Sequence, residues 1–299
     1  METTDKIWLN GELVDWDKAK VHVINHTMHY GTGAFEGMRF YDTPKGPAIF
    51  QLDRHLDRWL YSAKCLHMEL PYSKPELRRA IVETVKVNKI KEGYIRPIAY
   101  YDHGPLRVNP VDLPVGVSIA CWSWGSYLGE ESAKLKVSSY IRIHPQTTFT
   151  DAKITGHYVN AMLAVREATE AGYTEALMLD YEGYVAEGSA ENIFAIKNKI
   201  IYTPPLGTIL AGITRESVIE LAKDLSYEVE EKKLKIEDIL EADECFLTGT
   251  AAEVSPVGQI DKQKLKNQLG PVTTKLKKKF EQIICAEDEK YEKWLTFVK

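Results

Sequence analysis

A two-domain fold of the α+β or mixed α/β class is what this chain predicts, and three observations carry the prediction. Segments of alternating apolar residues and segments of helical period interleave without the regular strand–helix alternation of a parallel sheet. The 299 residues exceed the usual size of one domain and bury enough apolar surface to fold without disulfides or metals. At 122–129 the composition shifts towards tryptophan, glycine and serine. That shift divides the chain into a small N-terminal domain 1–122, a connection 123–133 and a larger C-terminal domain 134–299.

In chain order, 7–14 reads as a hairpin with Asn10-Gly11 as its turn. Residues 21–26 read as a short strand or strand entry, and 35–42 as a strand leading through the turn 44–47 to another at 48–50. The stretch 52–66 is helical by pattern, with His55, Arg58, Trp59 and Ser62 at helical spacings. Pro75 near the first turn opens a second helix over 74–88. Strands follow at 94–101 and 115–121, separated by a loop 102–110 built from turn-forming residues.

The second half opens with a strand at 135–140. A threonine-rich run from Thr147 to Asn160 carries Lys153 and leads into a helix on which Val159, Met162, Leu163 and Val165 share a side. Strands are expected at 176–180, 193–196, 200–202 and 244–247, and helices at 214–224 and 236–241. Gly270-Pro271 opens a last helix with Val272, Leu276 and Phe280 on one face.

Apolar content of 44%, charged content of 27% and a net charge of −5 suit a globular protein and give no reason to expect nucleic acid. The N-terminus lacks a basic segment followed by an apolar core, and no apolar run approaches the ~20 residues of a membrane helix. Cys65, Cys121, Cys245 and Cys285 are scattered, and the histidines lack metal-ligand spacing. The expectation is a soluble, reduced, cytoplasmic protein without a metal.

Four places besides Lys153 hint at chemistry, and each admits two readings. Lys153 itself is a Schiff-base lysine or an exposed helix-start lysine. Gly212-Ile213-Thr214-Arg215 offers N–H groups to an anion or holds an N-cap threonine. Gly249-Thr250-Ala251-Ala252 is an anion-binding turn or a plain one. Tyr94 and Arg96 project from one face of a strand, where the arginine takes a carboxylate or a surface salt bridge. Glu187 anchors a protonated ring nitrogen or caps a turn.

Taken together and in order, these places resemble the branched-chain amino acid aminotransferases, pyridoxal-phosphate enzymes of fold type IV. The resemblance rests on His29-Tyr30-Gly31-Thr32-Gly33-Ala34-Phe35-Glu36-Gly37-Met38-Arg39, Tyr94-Ile95-Arg96-Pro97, Asp151-Ala152-Lys153, Glu187-Gly188-Ser189-Ala190-Glu191-Asn192-Ile193-Phe194, Gly212-Ile213-Thr214-Arg215 and Gly249-Thr250-Ala251-Ala252-Glu253. It runs over nearly the full chain.

The resemblance implies a two-domain fold with its site at the domain interface, and Lys153 as the cofactor's covalent lysine and proton shuttle. It implies that Arg58, Ile213, Thr214 and Thr250 hold the phosphate, that Glu187 pairs with the ring nitrogen, and that Tyr158 bonds the ring's phenolic oxygen. For substrate it implies an α-carboxylate site at Thr250, Ala251 and Ala252, and a side-chain pocket of Tyr30, Phe35, Tyr94, Arg96, Trp124 and Tyr127. The implied reaction exchanges the amino group of leucine, isoleucine or valine with 2-oxoglutarate. The nearest alternative is a D-amino acid or (R)-amine transaminase, or aminodeoxychorismate lyase, on the same fold. A homodimer at minimum is implied, with loop 102–110 closing the partner's site and a trimer of dimers as the larger assembly. Two departures bear on substrate range: Ile154-Thr155-Gly156-His157 stands where small residues are usual, and Arg107 stands in that loop.

Overall fold

The structure is a computed structural model that describes residues 3–125 and 132–299. The chain forms two compact units: Met1–Gly125 with Ala152–His157 and Gln282–Lys299, and Ser126–Asp151 with Tyr158–Glu281. The division is interleaved, not contiguous: the lysine segment, numbered with the C-terminal half, packs in the first unit.

In the first unit, β1 (Lys6–Leu9) and β2 (Glu12–Asp15) form the expected hairpin. Asn10 and Gly11 both adopt positive φ, 49° and 99°, as a tight hairpin turn demands. Residues 21–25 do not form a strand. The Ile24 N–H is taken by the His22 ring and the Met28 N–H by the Asn25 side chain, and the second bond caps α1 (His26–Tyr30). The predicted strand at 35–42 is two pieces, β3 (Gly33–Phe35) and β4 (Met38–Tyr41), because Glu36 and Gly37 leave the ladder.

β5 (Ala48–Phe50), α2 (Leu52–Cys65) and α3 (Lys74–Asn88) follow. Ser73 and Glu76 form a capping box at α3, with Pro75 in its first turn. β7 (Val115–Trp122) is paired along its full length with Tyr94–Tyr101 of β6 (Gly93–Tyr101). The sheet runs from the C-terminal strand Leu295–Phe297 through β5, β4, β6, β7, β1 and β2, with β3 on β6. Trp59, Leu56, Phe40, Met38, Ile81 and Ile95 are at the centre of its core.

The second unit contains β8 (Ala133–Val137), α4 (Tyr158–Glu170), β9 (Glu175–Leu179), β10 (Val185–Gly188), β11 (Asn192–Lys197) and β12 (Ile200–Thr203). α5 (Ile213–Asp224), β13 (Val229–Glu231), α6 (Ile236–Leu240), β14 (Glu244–Gly249), β15 (Glu253–Ile260), β16 (Gln263–Lys264) and α7 (Pro271–Ile284) complete the order. The sheet runs β10, β9, β8, β15, β14, β11, β12, β13, and β10 also pairs with β11 through Glu187↔Asn192. That single pair closes a ring of strands around Leu135, Leu177, Ile193, Leu247 and Val257.

The buried residues of α4 are Ala164 and Ala168, whose small side chains form a stripe that packs with Ala176 and Met178 of β9. Val159 and Met162 fall on the opposite side at 100° per residue and are 59% and 48% exposed. Among the described residues no helix is long and apolar enough to cross a membrane, and no cluster of His, Cys, Asp or Glu is arranged to hold a metal.

Candidate active site

In the first unit the backbone of Lys153 is fixed at both ends. Its N–H donates to Ser62 Oγ at 2.9 Å, and its carbonyl accepts the Phe35 N–H at 3.1 Å. Thr155 accepts from the Gly33 N–H and donates to the Gly31 carbonyl, and Ile154 bridges Ala34. A Cβ at Gly31, whose φ is +66°, would fall 2.7 Å from the Gly156 Cα, so two glycines let these chains touch. This accounts for Gly156 after the lysine. Lys153 Nζ stands 5.1 Å from the centre of the Phe35 ring.

Arg58 projects from α2 onto Glu36. Its Nε donates at 2.6 Å and its second terminal nitrogen at 2.9 Å, while His55 Nδ1 lies 2.8 Å from the same carboxylate. Glu36 is fully buried. Burial opposes its ionisation, yet the adjacent Arg58 and His55 outweigh that and hold it far below the ordinary carboxylate range. Burial pushes His55 below the ordinary histidine value, against the pull of Glu36. The Ser62 hydroxyl donates to the Arg58 carbonyl, so one turn of α2 holds both the arginine and the lysine backbone.

Phe35 also faces a second cation: the Arg96 guanidinium lies 5.0 Å from its centre and 5.3 Å from that of Tyr94. Trp124 meets Tyr94 edge to face at 4.6 Å. Arg96 Nε is buried with no hydrogen-bond partner among the described residues, and its terminal nitrogen reaches Tyr94 Oη at 3.4 Å. Among the described residues Arg96 forms no salt bridge. A Cβ at residue 37 would fall 1.7 Å from Tyr94 Oη, so Gly37 is what admits the tyrosine. Tyr30 is 44% exposed and donates to the Leu106 carbonyl at 3.4 Å. The Arg107 side chain is exposed, while its carbonyl meets His26 Nε2 at 2.8 Å. Tyr127 lies outside the described residues.

In the second unit Glu187 sits in β10, a strand that residue patterning missed. Its carboxylate accepts from Arg142 Nε at 2.5 Å, from Asn192 Nδ2 at 2.9 Å and from the Leu210 N–H at 3.1 Å. The N-cap of α5 is Gly212, not a threonine, and no side chain caps it, so this helix end presents its N–H groups at Ile213 and Thr214. Arg215 turns away, pairing with Glu231 at 2.6 Å and the Pro204 carbonyl at 2.9 Å. Thr250, Ala251 and Ala252 form the turn between β14 and β15, next to a buried Thr248 hydroxyl with no partner among the described residues. Tyr158 is the first residue of α4.

Sequence reasoning missed Glu36 and His55 as supports of Arg58, and Arg142 and Asn192 as supports of Glu187. Glu36 and Asn192 lie inside conspicuous runs, but what they touch lies across the fold.

The chain as a whole has counterparts among known proteins. The family model for amino-transferase class IV matches residues 33–260. The branched-chain-amino-acid aminotransferase of Pseudomonas aeruginosa is 45% identical over 298 residues, 98% of this chain and 97% of that protein. A crystal structure of the branched-chain aminotransferase from Thermoproteus uzoniensis with norvaline matches at TM-score 0.96 and 42% identity, covering 99% of this chain and 100% of that one. The branched-chain amino acid aminotransferase from Thermobaculum terrenum in its PLP-form matches at TM-score 0.94 and 32% identity, over 100% of both chains.

Proposed function

The chain belongs to the amino-transferase class IV family, and from that premise we propose that it is a pyridoxal-phosphate-dependent branched-chain-amino-acid aminotransferase. It interconverts leucine, isoleucine or valine with their 2-oxo acids, with glutamate and 2-oxoglutarate as the other pair. The residues fit the cofactor. A phosphate suits an uncapped helix N-terminus and an arginine held in place, and a ring nitrogen suits a carboxylate held among donors. Pyridoxal phosphate, when bound, supplies the electron sink for charge developing at the amino acid's α-carbon.

The chain's own residues do the rest. Lys153 is the covalent anchor, and its Nζ carries the proton taken from the α-carbon. Arg58, Ile213, Thr214 and Thr250 hold the phosphate, Glu187 the ring nitrogen and Tyr158 the phenolic oxygen. The turn at Thr250, Ala251 and Ala252 takes the substrate's α-carboxylate. Phe35, Tyr30, Tyr94 and Trp124 line the side-chain pocket.

The observation that carries this reading is Arg96 in its aromatic frame. Rings of Phe35 and Tyr94 lie against a guanidinium whose buried Nε has no partner among the described residues. Such walls accept an aliphatic side chain, and the arginine accepts the second carboxylate of glutamate. One pocket thereby serves both halves of the reaction.

A homodimer is the minimum functional assembly in this reading. Supporting it are exposed apolar side chains where a solvated surface is usually polar: Val23, Met28 and Val108 in the first unit, Val159 and Met162 in the second. Val108 belongs to loop 102–110, which closes over the partner's site. Sedimentation velocity on the purified protein checks the assembly, and a monomer at working concentration contradicts it.

The chemistry is tested by the visible spectrum with the cofactor supplied. A yellow protein that bleaches with L-leucine and recolours with 2-oxoglutarate meets the reading. A response to D-amino acids alone, or turnover retained after Lys153→Ala, overturns it.

A further inference from the structure

Three segments converge on the Glu187 carboxylate. Arg142, from the stretch after β8, places Nε 2.5 Å from Oε1. Asn192, first residue of β11, places Nδ2 2.9 Å from Oε2. The Leu210 N–H lies 3.2 Å from one oxygen and 3.1 Å from the other. Both members of the ion pair are largely buried, with side chains 12% and 6% exposed.

Each donor is itself anchored. The Arg142 N–H donates to the Leu179 carbonyl at 2.8 Å, and its terminal nitrogen reaches the Thr150 carbonyl at 3.4 Å. Asn192 is the register partner of Glu187 in the pair that closes the ring of strands. Its amide also donates to the Leu210 carbonyl at 3.1 Å, and its Oδ1 fills the space that a Cβ at Gly212 would need, 1.9 Å away. One asparagine thus ties the carboxylate to the turn that begins α5.

We propose that Arg142 and Asn192 are positioning residues that hold Glu187 ionised and aimed, and so keep the shared proton on the cofactor's ring nitrogen. The proposal rests on the reading that Glu187 faces that nitrogen. The sign follows from where the charges sit. The guanidinium touches the carboxylate, so it is nearer to the oxygens than to any atom hydrogen-bonded beyond them. A proton on oxygen therefore feels more repulsion than a proton on nitrogen. Asn192 works in the same sense: its amide offers the carboxylate a hydrogen and no lone pair, which favours the ionised form. Removing either support moves the proton from the ring nitrogen towards the carboxylate, and with it goes part of the electron sink.

The test is nitrogen-15 NMR of the holoenzyme loaded with pyridoxal phosphate labelled at the ring nitrogen, together with kcat and KM for L-leucine. The variants are Arg142→Gln, Arg142→Lys, Asn192→Asp and, as reference, Glu187→Gln. Asn192→Asp keeps the side chain's shape and sets a second carboxylate against Glu187. In Arg142→Gln and Asn192→Asp the resonance is expected to move from the protonated towards the neutral-pyridine position. In both, kcat falls about 10- to 100-fold, one to two tenfold steps of acidity, while KM changes by less than about threefold. Arg142→Lys keeps the charge and stays close to the native spectrum.

If Glu187→Gln moves the resonance and the Arg142 and Asn192 variants do not, the proposal is overturned and the assignment of Glu187 stands. A resonance unmoved by Glu187→Gln overturns both. Should Arg142→Gln fail to fold, Arg142→Lys and Asn192→Asp decide, since a purely structural tie would lower Tm without moving the resonance.

Discussion

Replacing Glu36 by glutamine separates two jobs that one carboxylate performs. Glu36 is fully buried and receives two hydrogen bonds from Arg58, at 2.6 and 2.9 Å, with His55 at 2.8 Å. Glutamine keeps the shape, removes the charge and turns an N–H2 towards at least one of three donors. Arg58 is then left as a buried cation without its counter-charge, its side chain 10% exposed. Removing one partner of a buried pair costs about 3–5 kcal/mol. For a chain of this size each kcal/mol moves Tm by roughly 2–4 °C, so the cofactor-free variant should melt about 6–20 °C below the parent.

If Arg58 holds the cofactor phosphate, adding pyridoxal phosphate restores a counter-charge to it. The loss in Tm should then be smaller in the loaded protein than in the cofactor-free one. The pH dependence supplies a second measure. Because the folded state depresses Glu36, its contribution to stability is fully present above the unfolded carboxylate's range and is lost as pH falls through it. His55 is depressed too. Its neutral form is favoured by folding, so its contribution is present above the ordinary value of 6.5 and is lost as pH falls below it. The parent should therefore destabilise progressively as pH is lowered from about 6.5 to below 4, and Glu36→Gln should lack the lower part of that decline. Scanning calorimetry of both proteins, with and without cofactor, reads every one of these quantities. An equal Tm loss in the loaded and cofactor-free forms would refute the link from Glu36 through Arg58 to phosphate.

Three further outcomes follow from the same geometry. Arg96→Gln should raise KM for 2-oxoglutarate about 10- to 100-fold and that for L-leucine by less than about threefold, because a charge-assisted contact of roughly 1.5–3 kcal/mol is lost on one side only; equal changes in steady-state assays would contradict this. Gly37→Ala places a methyl group 1.7 Å from Tyr94 Oη, so the tyrosine must move. The expected cost is about 1–3 kcal/mol with an altered order of preference among leucine, isoleucine and valine, and an unchanged order in a substrate panel counts against the packing argument. Glu244→Ala removes the carboxylate that accepts the Val272 and Thr273 N–H groups at 3.1 and 2.8 Å, the cap of α7. Tm should fall by the equivalent of about 1–2 kcal/mol with kcat unchanged.

What the sequence made legible was local. The Asn10-Gly11 hairpin, α2, α3, β6 and β7 all follow from period and turn chemistry within a dozen residues. β10 and β15 escaped because Gly188, Pro256 and Gly258 interrupt their apolar pattern, although Gly188 and Pro256 sit in a ladder and Gly258 at a register shift. On α4 the large apolar residues share a side, yet a stripe of two alanines is buried, since small residues let the helix approach β9 closely. Motif residues such as Lys153 and Glu187 were visible as residue types in order. What holds them was not, because Arg58 reaches Glu36 across 22 positions and Arg142 reaches Glu187 across 45. Such pairs exist only once the chain has folded.

Those two pairs solve the same physical problem with the roles exchanged. A buried carboxylate cannot stand alone, and neither can a buried guanidinium. In the first unit Glu36 has its oxygens occupied by Arg58 and His55, and in the proposed reading the arginine is the group offered to a ligand. In the second unit the Glu187 oxygens are occupied by Arg142, Asn192 and the Leu210 N–H, Arg142 also reaches the Thr150 carbonyl, and in the proposed reading the carboxylate is the group on offer. Each unit thus presents one charge and keeps the opposite one behind it. The presented charges differ in sign, and the proposed roles differ with them, a cation for phosphate and an anion for a protonated ring. Swapping a supporting residue should therefore weaken the group in front of it, which is why Glu36→Gln and Arg142→Gln test the two proposed roles separately.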